Sequence, residues 1–360
     1  MRGRNCARSF RRHIMELLSG AILNGMEIRR SMTDVPSRVN RPDSTYPLIP
    51  VNDSASIIAA PPEDTTSPKI IFVSDREQKY LPWIYVMNID GSEAVPIADF
   101  TAKLMGSTEG KIGPVSVHLG GPSVSPTGKQ IAFHALFPGI KNWNIYVMDI
   151  DGKNVTQLTV DHLNKAALLP AWSPNGEKIA FCLRENYKTD IYVMRADGSD
   201  PANLTKNQSA NFHPAWSPDS TKIAFSSNME MDPRIRNIYV MDADSKNLKQ
   251  LTQNRKIGWV SGHPAWSPDG KYIAYDSGKR DRGGNFQSTI FIMDADGKNP
   301  RTLITRANRP AWSPDGQKIV FVSNHDGNDE LYMINVDGKN LKRLTMNRYC
   351  DTEPCWLEKP

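Results

Sequence analysis

Between residues 68 and 357 short apolar runs alternate with polar turns, and no segment keeps a helical period. One run recurs as Lys178-Ile179-Ala180-Phe181, Lys222-Ile223-Ala224-Phe225 and Lys318-Ile319-Val320-Phe321. Another recurs as Ile145-Tyr146-Val147-Met148, Ile191-Tyr192-Val193-Met194 and Ile238-Tyr239-Val240-Met241. Short runs rich in Ile, Val, Phe and Tyr, bounded by Gly, Pro, Asn and Asp, predict strands. Between the two run types lies a loop of variable length. After the second comes Asp-Gly-Lys-Asn or a variant, a hairpin-turn signal, and then a last strand ending in Leu-Thr (158–159, 204–205, 251–252, 344–345).

A fixed phrase opens each unit. Pro-Ala-Trp-Ser-Pro stands at 170–174, 214–218, 264–268 and 310–314, and a weaker copy at 122–126 has Val124 in the Trp slot. The following Ser-Pro-Asp-Gly suits a type I turn, with Pro fixing φ and Gly closing it. The Pro positions 122, 170, 214, 264, 310 and 354 are separated by 48, 44, 50, 46 and 44 residues. With Pro-Ala-Trp as the first strand, each unit has four strands. Four-stranded units at this period are the blades of a β-propeller, each burying its large residues only against a neighbour. The Trp slots at 172, 216, 266, 312 and 356 are expected to anchor adjacent blades. The first unit, starting at Pro68-Lys69-Ile70-Ile71-Phe72-Val73, lacks its opening strand, and Glu353-Pro354-Cys355-Trp356 is an opening strand without a unit. The fold is therefore expected to be all-β: a six-bladed propeller over 68–357, its ring closed by the C-terminal strand completing blade 1.

The stretch His263-Pro-Ala-Trp-Ser-Pro-Asp-Gly-Lys-Tyr-Ile-Ala-Tyr275, followed by Ile290-Phe-Ile-Met-Asp-Ala-Asp-Gly-Lys-Asn-Pro-Arg-Thr-Leu303, resembles the propeller repeats of the TolB family. It is also similar to repeats of tricorn protease and the prolyl oligopeptidases. A TolB protein places an α/β domain before its propeller. Residues 1–67 are too short and irregular to supply one, so the resemblance is to the propeller alone.

Charge changes the picture only at the N-terminus. Of the net +5, residues 1–42 contribute nine Arg against Glu16, Glu27 and Asp34, leaving the remainder at −1. The basic excess thus belongs to a tail expected to be disordered, followed by a Ser/Pro/Asp/Thr-rich linker over 43–67, and no nucleic-acid partner is expected. Three readings of the tail stay open: an export signal, which would make the protein periplasmic or extracytoplasmic; a start at Met15, Met26 or Met32; and a plain tail, able to tether the propeller to an anionic surface. Otherwise a cytoplasmic chain is expected. No run approaches the roughly 18 apolar residues of a membrane helix. The four cysteines are expected as free thiols and the chain as a monomer.

Chemistry is sparse. A Gly-x-Ser-x-Gly nucleophile elbow, a phosphate-binding glycine loop and a paired-cysteine zinc pattern are all missing from the sequence, so no cofactor is expected. Asp149-Ile150-Asp151-Gly152 and its copies start like a calcium loop, but Gly falls at the fourth position and Val160 occupies the twelfth. They are expected to be hairpin turns. Function is instead expected where the repeats differ. The residue before each Pro changes from blade to blade: Gly121, Leu169, His213, His263, Arg309, Glu353. The segments preceding these positions are expected to rim the central channel on one face. With Asn211, Trp259, Arg306, Arg348 and Tyr349 they add aromatic and cationic groups of the kind found at interface hot spots. The expected role is a non-enzymatic scaffold binding a protein segment, or a small polar ligand, at the channel mouth. The alternative is a metal-dependent lyase or hydrolase for acidic oligosaccharides, with His213 and His263 as metal ligands, Arg309 assisting, and a third ligand from His118, His162 or Glu353. The loops at 135–144, 227–237 and 277–289 are expected on the opposite face.

Overall fold

A computed structural model describes residues 67–357 apart from 79–80, 98–117, 138–139, 161–164, 187, 208, 230–231, 233, 255–257 and 281–285. The assigned tail and nearly all of the assigned linker lie outside the described residues. Blade 1 comprises β1 (Lys69–Gln78), β2 (Leu81–Asn88) and β3 (Val95–Pro96). Blade 2 is β4 (His118–Val124), β5 (Gln130–Leu136), β6 (Asn144–Asp149) and β7 (Thr156–Gln157). Blade 3 is β8 (Lys165–Trp172), β9 (Lys178–Glu185), β10 (Lys188–Arg195) and β11 (Ala202–Asn203). Blade 4 is β12 (Asn211–Trp216), β13 (Lys222–Ser227), β14 (Asn237–Asp242) and β15 (Lys249–Gln250). Blade 5 is β16 (Trp259–Trp266), β17 (Tyr272–Arg280), β18 (Phe286–Asp294) and β19 (Arg301–Thr305). Blade 6 is β20 (Ala307–Trp312), β21 (Lys318–Ser323), β22 (Glu330–Asn335) and β23 (Lys342–Arg343). The last strand, β24 (Asp351–Leu357), pairs antiparallel with β1 and supplies the missing inner strand of blade 1.

Each recurring run has a structural reason. Its aromatic residues meet across the middle strands of every blade, as in Phe225 opposite Tyr239 (ring centroids 6.0 Å) and Phe72 opposite Tyr85 (5.6 Å). Such cross-strand pairs are the packing unit of a sheet. The threonine of Leu-Thr is a clamp: Thr252 Oγ1 accepts the Ile238 amide at 2.9 Å and donates to Asn237 Oδ1 at 3.0 Å. Thr159, Thr205 and Thr345 accept the equivalent amides of Ile145, Ile191 and Leu331. In the Ser-Pro-Asp-Gly turn, the Ser217 hydroxyl accepts the Lys222 amide at 2.9 Å and donates to Asp219 at 2.6 Å. The Asp-x-Asp-Gly segments are hairpin turns. The Gly297 amide donates to the Asp294 carbonyl at 2.8 Å, and Asn299 closes the loop onto the Asp294 carboxylate at 2.7 Å.

The core lies between blades. Among the described residues six clusters of buried apolar residues join neighbouring blades, and one of them joins Val320 and Leu331 of blade 6 to Phe72 and Trp356 of blade 1. The Trp slots cross these interfaces. Trp216, Trp312 and Trp356 donate their indole N–H to the Ala171, Ala265 and Ala311 carbonyls of the preceding blade, each at 3.1 Å. Blade 2 offers Val124 in that slot, and Trp172 bonds its own turn at Gly176 O instead.

Successive antiparallel strands put every second connection at the same end. The links entering the inner strands and the loops between the two middle strands of each blade therefore share one face. Trp259 pairs with Lys279, and the Asn228 amide reaches the Ala210 carbonyl at 3.4 Å. The loops at 135–144, 227–237 and 277–289 thus lie on the entry face with the linking segments, which corrects the expectation of opposite faces.

Candidate ligand site in the central channel

All six inner strands break their ladder at the same place: between Gly120 and Ser123, Leu168 and Ala171, Phe212 and Ala215, Gly262 and Ala265, Asn308 and Ala311, and opposite Ile71 and Val73 in blade 1. Caught in each bulge are the variable residue and its Pro. Pro is tolerated there because a bulged residue owes the ladder no N–H. The variable residue is left-handed in every blade: Gly121 (φ 59°), Leu169 (54°), His213 (55°), His263 (47°), Arg309 (54°) and Glu353 (55°). For a side chain other than Gly this costs roughly 1–2 kcal/mol, and here it is met five times. The six residues converge on a cavity of about 370 Å³ in the channel.

A chain of polar contacts runs around part of this belt. His263 Nδ1 lies 2.7 Å from Asp276 Oδ2, which also accepts the Arg309 amide at 2.9 Å. Arg309 Nε reaches His263 Nε2 at 3.4 Å; one guanidinium arm bonds the Thr352 hydroxyl, and the other lies 3.4 Å from Glu353 Oε1. Glu353 Oε2 in turn accepts the Gly121 amide at 2.6 Å. The Leu169 amide finds His134 Nδ1 at 3.3 Å. Left-handed residues turn their amides out of the ladder, and at Gly121, Leu169 and Arg309 a side chain of the preceding blade accepts them.

Burial governs protonation in the belt. It pulls His134 down to about 4, the Glu353 charge opposing and Arg309 assisting. Burial alone would raise Glu353, but Arg309, His134, the Gly121 amide and His263 outweigh it and hold the carboxyl below its ordinary value. His213 differs from the rest. Its ring stacks on His263 with centroids 3.9 Å apart, and its buried Nδ1 has no hydrogen-bond partner. Burial first, then the positive charges of His263, Arg309 and Arg236, hold His213 well below the usual histidine range.

The structure divides the nine candidate residues three ways. His213, His263, Arg309 and Glu353 meet in the channel. Trp259, Arg306, Arg348 and Tyr349 lie on the entry face: Lys279 Nζ sits 5.7 Å from the Trp259 ring, Arg306 is exposed, and Arg348 donates to the Tyr349 hydroxyl at 3.0 Å. Asn211 is fully buried, its amide donating to Thr189 O, Thr205 Oγ1 and Asn207 Oδ1 and accepting from Ser227 Oγ. Its amide protons are engaged and the group is enclosed within the blade, out of reach of a ligand in the channel. Of the third ligands considered for a metal, His162 lies outside the described residues, His118 packs 6.2 Å from the Trp143 ring, and Glu353 is engaged as above. Both His263 nitrogens are also taken, and no group of three or more His, Cys, Asp or Glu among the described residues is arranged to hold a metal.

Asp276 and His134 were missed in the sequence, although a signal exists. The residue after the strand aromatic varies as the pre-Pro residue does: His134, Cys182, Ser226, Asp276, Val322. These positions lie directly behind the belt.

Comparison with known proteins places these features. The TolB beta propeller domain model matches residues 121–237. Among solved structures, TolB from Acinetobacter baumannii superposes with a TM-score of 0.63 at 20% identity over 81% of this chain, which spans 66% of that chain's length. The hydrazine synthase of Kuenenia stuttgartiensis matches with a TM-score of 0.61 at 14% identity, over 81% of this chain and 46% of that one. A chain of a nidogen/laminin complex matches with a TM-score of 0.60 at 10% identity, over 81% of this chain and 99% of that one. The chain thus forms a ring of six four-stranded blades, similar in fold to the TolB propeller, and residues 121–237 match the TolB beta propeller domain.

Proposed function

We propose that this protein is a non-catalytic propeller scaffold that binds a protein segment or small polar ligand through the entry face and the channel beneath it. One observation carries the reading. On a framework that repeats six times, the left-handed position before each inner-strand Pro differs in every blade but two, and all six copies border the same cavity. A structural role alone would tolerate one residue type throughout; ligand recognition uses different ones. Trp259 and the Arg348–Tyr349 pair add large amphipathic surfaces at the rim. The matched folds include a member of a protein–protein complex and a chain of an enzyme, so the fold itself selects neither.

The test uses peptides selected by display on the whole chain. The double substitution Arg309→Ala/Trp259→Ala should weaken their binding at least about tenfold, the loss of one anchor contact. Circular dichroism and thermal melting establish that the variant is folded. Unchanged affinity for every selected ligand refutes the reading.

A further inference from the structure

Several charged side chains of the entry face are ion-paired. Arg76 pairs with Asp351 at 3.0 Å, Lys188 with Asp190 at 3.1 Å, Arg234 with Asp232 at 2.8 Å, and Arg343 with Asp326 and Glu330 at 3.0 and 3.3 Å. Arg236 differs. Its backbone is fixed by blade 5, donating to the Trp259 carbonyl at 3.2 Å and accepting the Ser261 amide at 3.1 Å. Its side chain reaches back over β12, with the guanidinium 4.4 Å from the Phe212 ring and its charge felt at Cys182 of blade 3. The group is half-buried, and burial pulls its pKa down to about 10. No carboxylate among the described residues pairs with it, and Asp232 of its own loop is held by Arg234 through two contacts. A desolvated cation without a counter-charge is costly and calls for an anion from elsewhere.

The neighbouring channel wall fits that requirement. The His213 ring lies 6.1 Å from Phe212, and the guanidinium charges of Arg309 and Arg236 both act on it. Its Nδ1 is turned to the backbone of Gly262, where an added Cβ would stand 3.8 Å away. An unpartnered N–H there would cost more than a bare lone pair, so the network assigns the proton to Nε2, as a donor from a residue that lines the cavity. The acidic members of the belt are not available to Arg236. Glu353 and Asp276 are recessed, with side chains 8% and 3% exposed, and are spent on Arg309, His263 and Gly121.

We propose that the upper channel beside blade 4 is an oxyanion site, taking a carboxylate or phosphate group of the ligand, with Arg236 as counter-charge and the His213 imidazole as neutral donor. This deepens the channel-ligand reading and rests on it. The probes are succinate, inorganic phosphate and the neutral isostere succinamide, titrated into the full chain at constant ionic strength. The His213 imidazole resonance is followed in histidine-labelled protein and assigned with His213→Gln.

Succinate or phosphate should shift that resonance saturably at about 1–10 mM, the affinity of one charge-assisted contact plus one neutral donor. The tighter of the two identifies the oxyanion source, and succinamide should have no effect. Arg236→Gln should weaken binding roughly tenfold or more, while Arg236→Lys retains part of it. If Arg236→Gln fails to fold, the contrast between succinate and succinamide on the unmodified protein decides. The proposal is overturned by the absence of saturation, by an equal response to succinamide, or by a response unchanged in a folded Arg236→Gln. None of these outcomes bears on the selected ligands and the Arg309/Trp259 substitutions, so failure of the oxyanion site is distinguishable from failure of the scaffold reading.

Discussion

Glu353 links three blades, and its removal can be sized. Its carboxylate sits on blade 1, takes the Gly121 amide of blade 2 at 2.6 Å, and lies 3.4 Å from an Arg309 arm of blade 6. In Glu353→Ala both partners lose their acceptor in a region where the side chain is only 8% exposed. An orphaned buried donor costs about 1–3 kcal/mol, and stripping one partner from a buried ion pair about 3–5 kcal/mol. Arg309 keeps its bond to Thr352, so the lower part of that range applies, at about 3 kcal/mol. Glu353→Gln retains an oxygen for Gly121 but loses the charge and turns its NH2 toward Arg309, costing about 1–2 kcal/mol. The pH dependence has a definite sign. The folded carboxyl lies below its ordinary 4.5, so its contribution is present above that value and is lost as pH falls through the folded one. Guanidinium unfolding followed by Trp fluorescence, at pH 7 and near pH 3, gives the three stabilities. The deficit of Glu353→Gln should shrink in acid. Equal costs for Ala and Gln, or a Gln deficit that persists unchanged near pH 3, would refute the linking role.

Three further outcomes follow from the same contacts. Trp312→Phe removes an indole bond to Ala265 O, whereas Trp266→Phe removes an indole whose N–H has no partner; denaturant midpoints should place the first variant about 1 kcal/mol below the second. Gly297→Ala forces a side chain into φ +90° and to 3.0 Å from the Leu251 carbonyl of the preceding blade, so thermal melting should show a loss of about 1–3 kcal/mol. Ending the chain before Asp351 removes the inner strand of blade 1 with Trp356 and Glu353. Limited proteolysis should then find a chain with no resistant propeller core, because one interblade interface is lost from a closed ring.

The legibility of the sequence differed between the framework and the site. Blade number, strand order and closure follow from the spacing of Pro122 to Pro354 and from a Pro-Cys-Trp left over at the end. The hairpin reading of Asp294 to Asn299 rests on turn chemistry within six residues, and Asp294 and Asn299 bond as such a turn requires. The site was partly legible. Variation at the pre-Pro position singled out His213, His263, Arg309 and Glu353, which meet in the channel. Asn211 looked equivalent to them because it is polar and two residues away. Regular alternation would put both side chains on one face, but the bulge with left-handed His213 breaks that phase, and Asn211 is held inside the blade by four hydrogen bonds.

By itself the sequence determined the all-β propeller, its six blades and its closing strand, because each depends on local periods and turns that repeat. Only the tertiary structure decided that the variable residues sit left-handed in bulges, that the long loops share the entry face, and that Asp276 binds both His263 and Arg309. It also left Arg236 over Phe212 with no carboxylate partner among the described residues. These outcomes depend on ångström-scale approach between residues of separate strands and blades, 13 positions apart for His263 and Asp276 and 33 for Asp276 and Arg309, and no local pattern encodes a distance across such gaps.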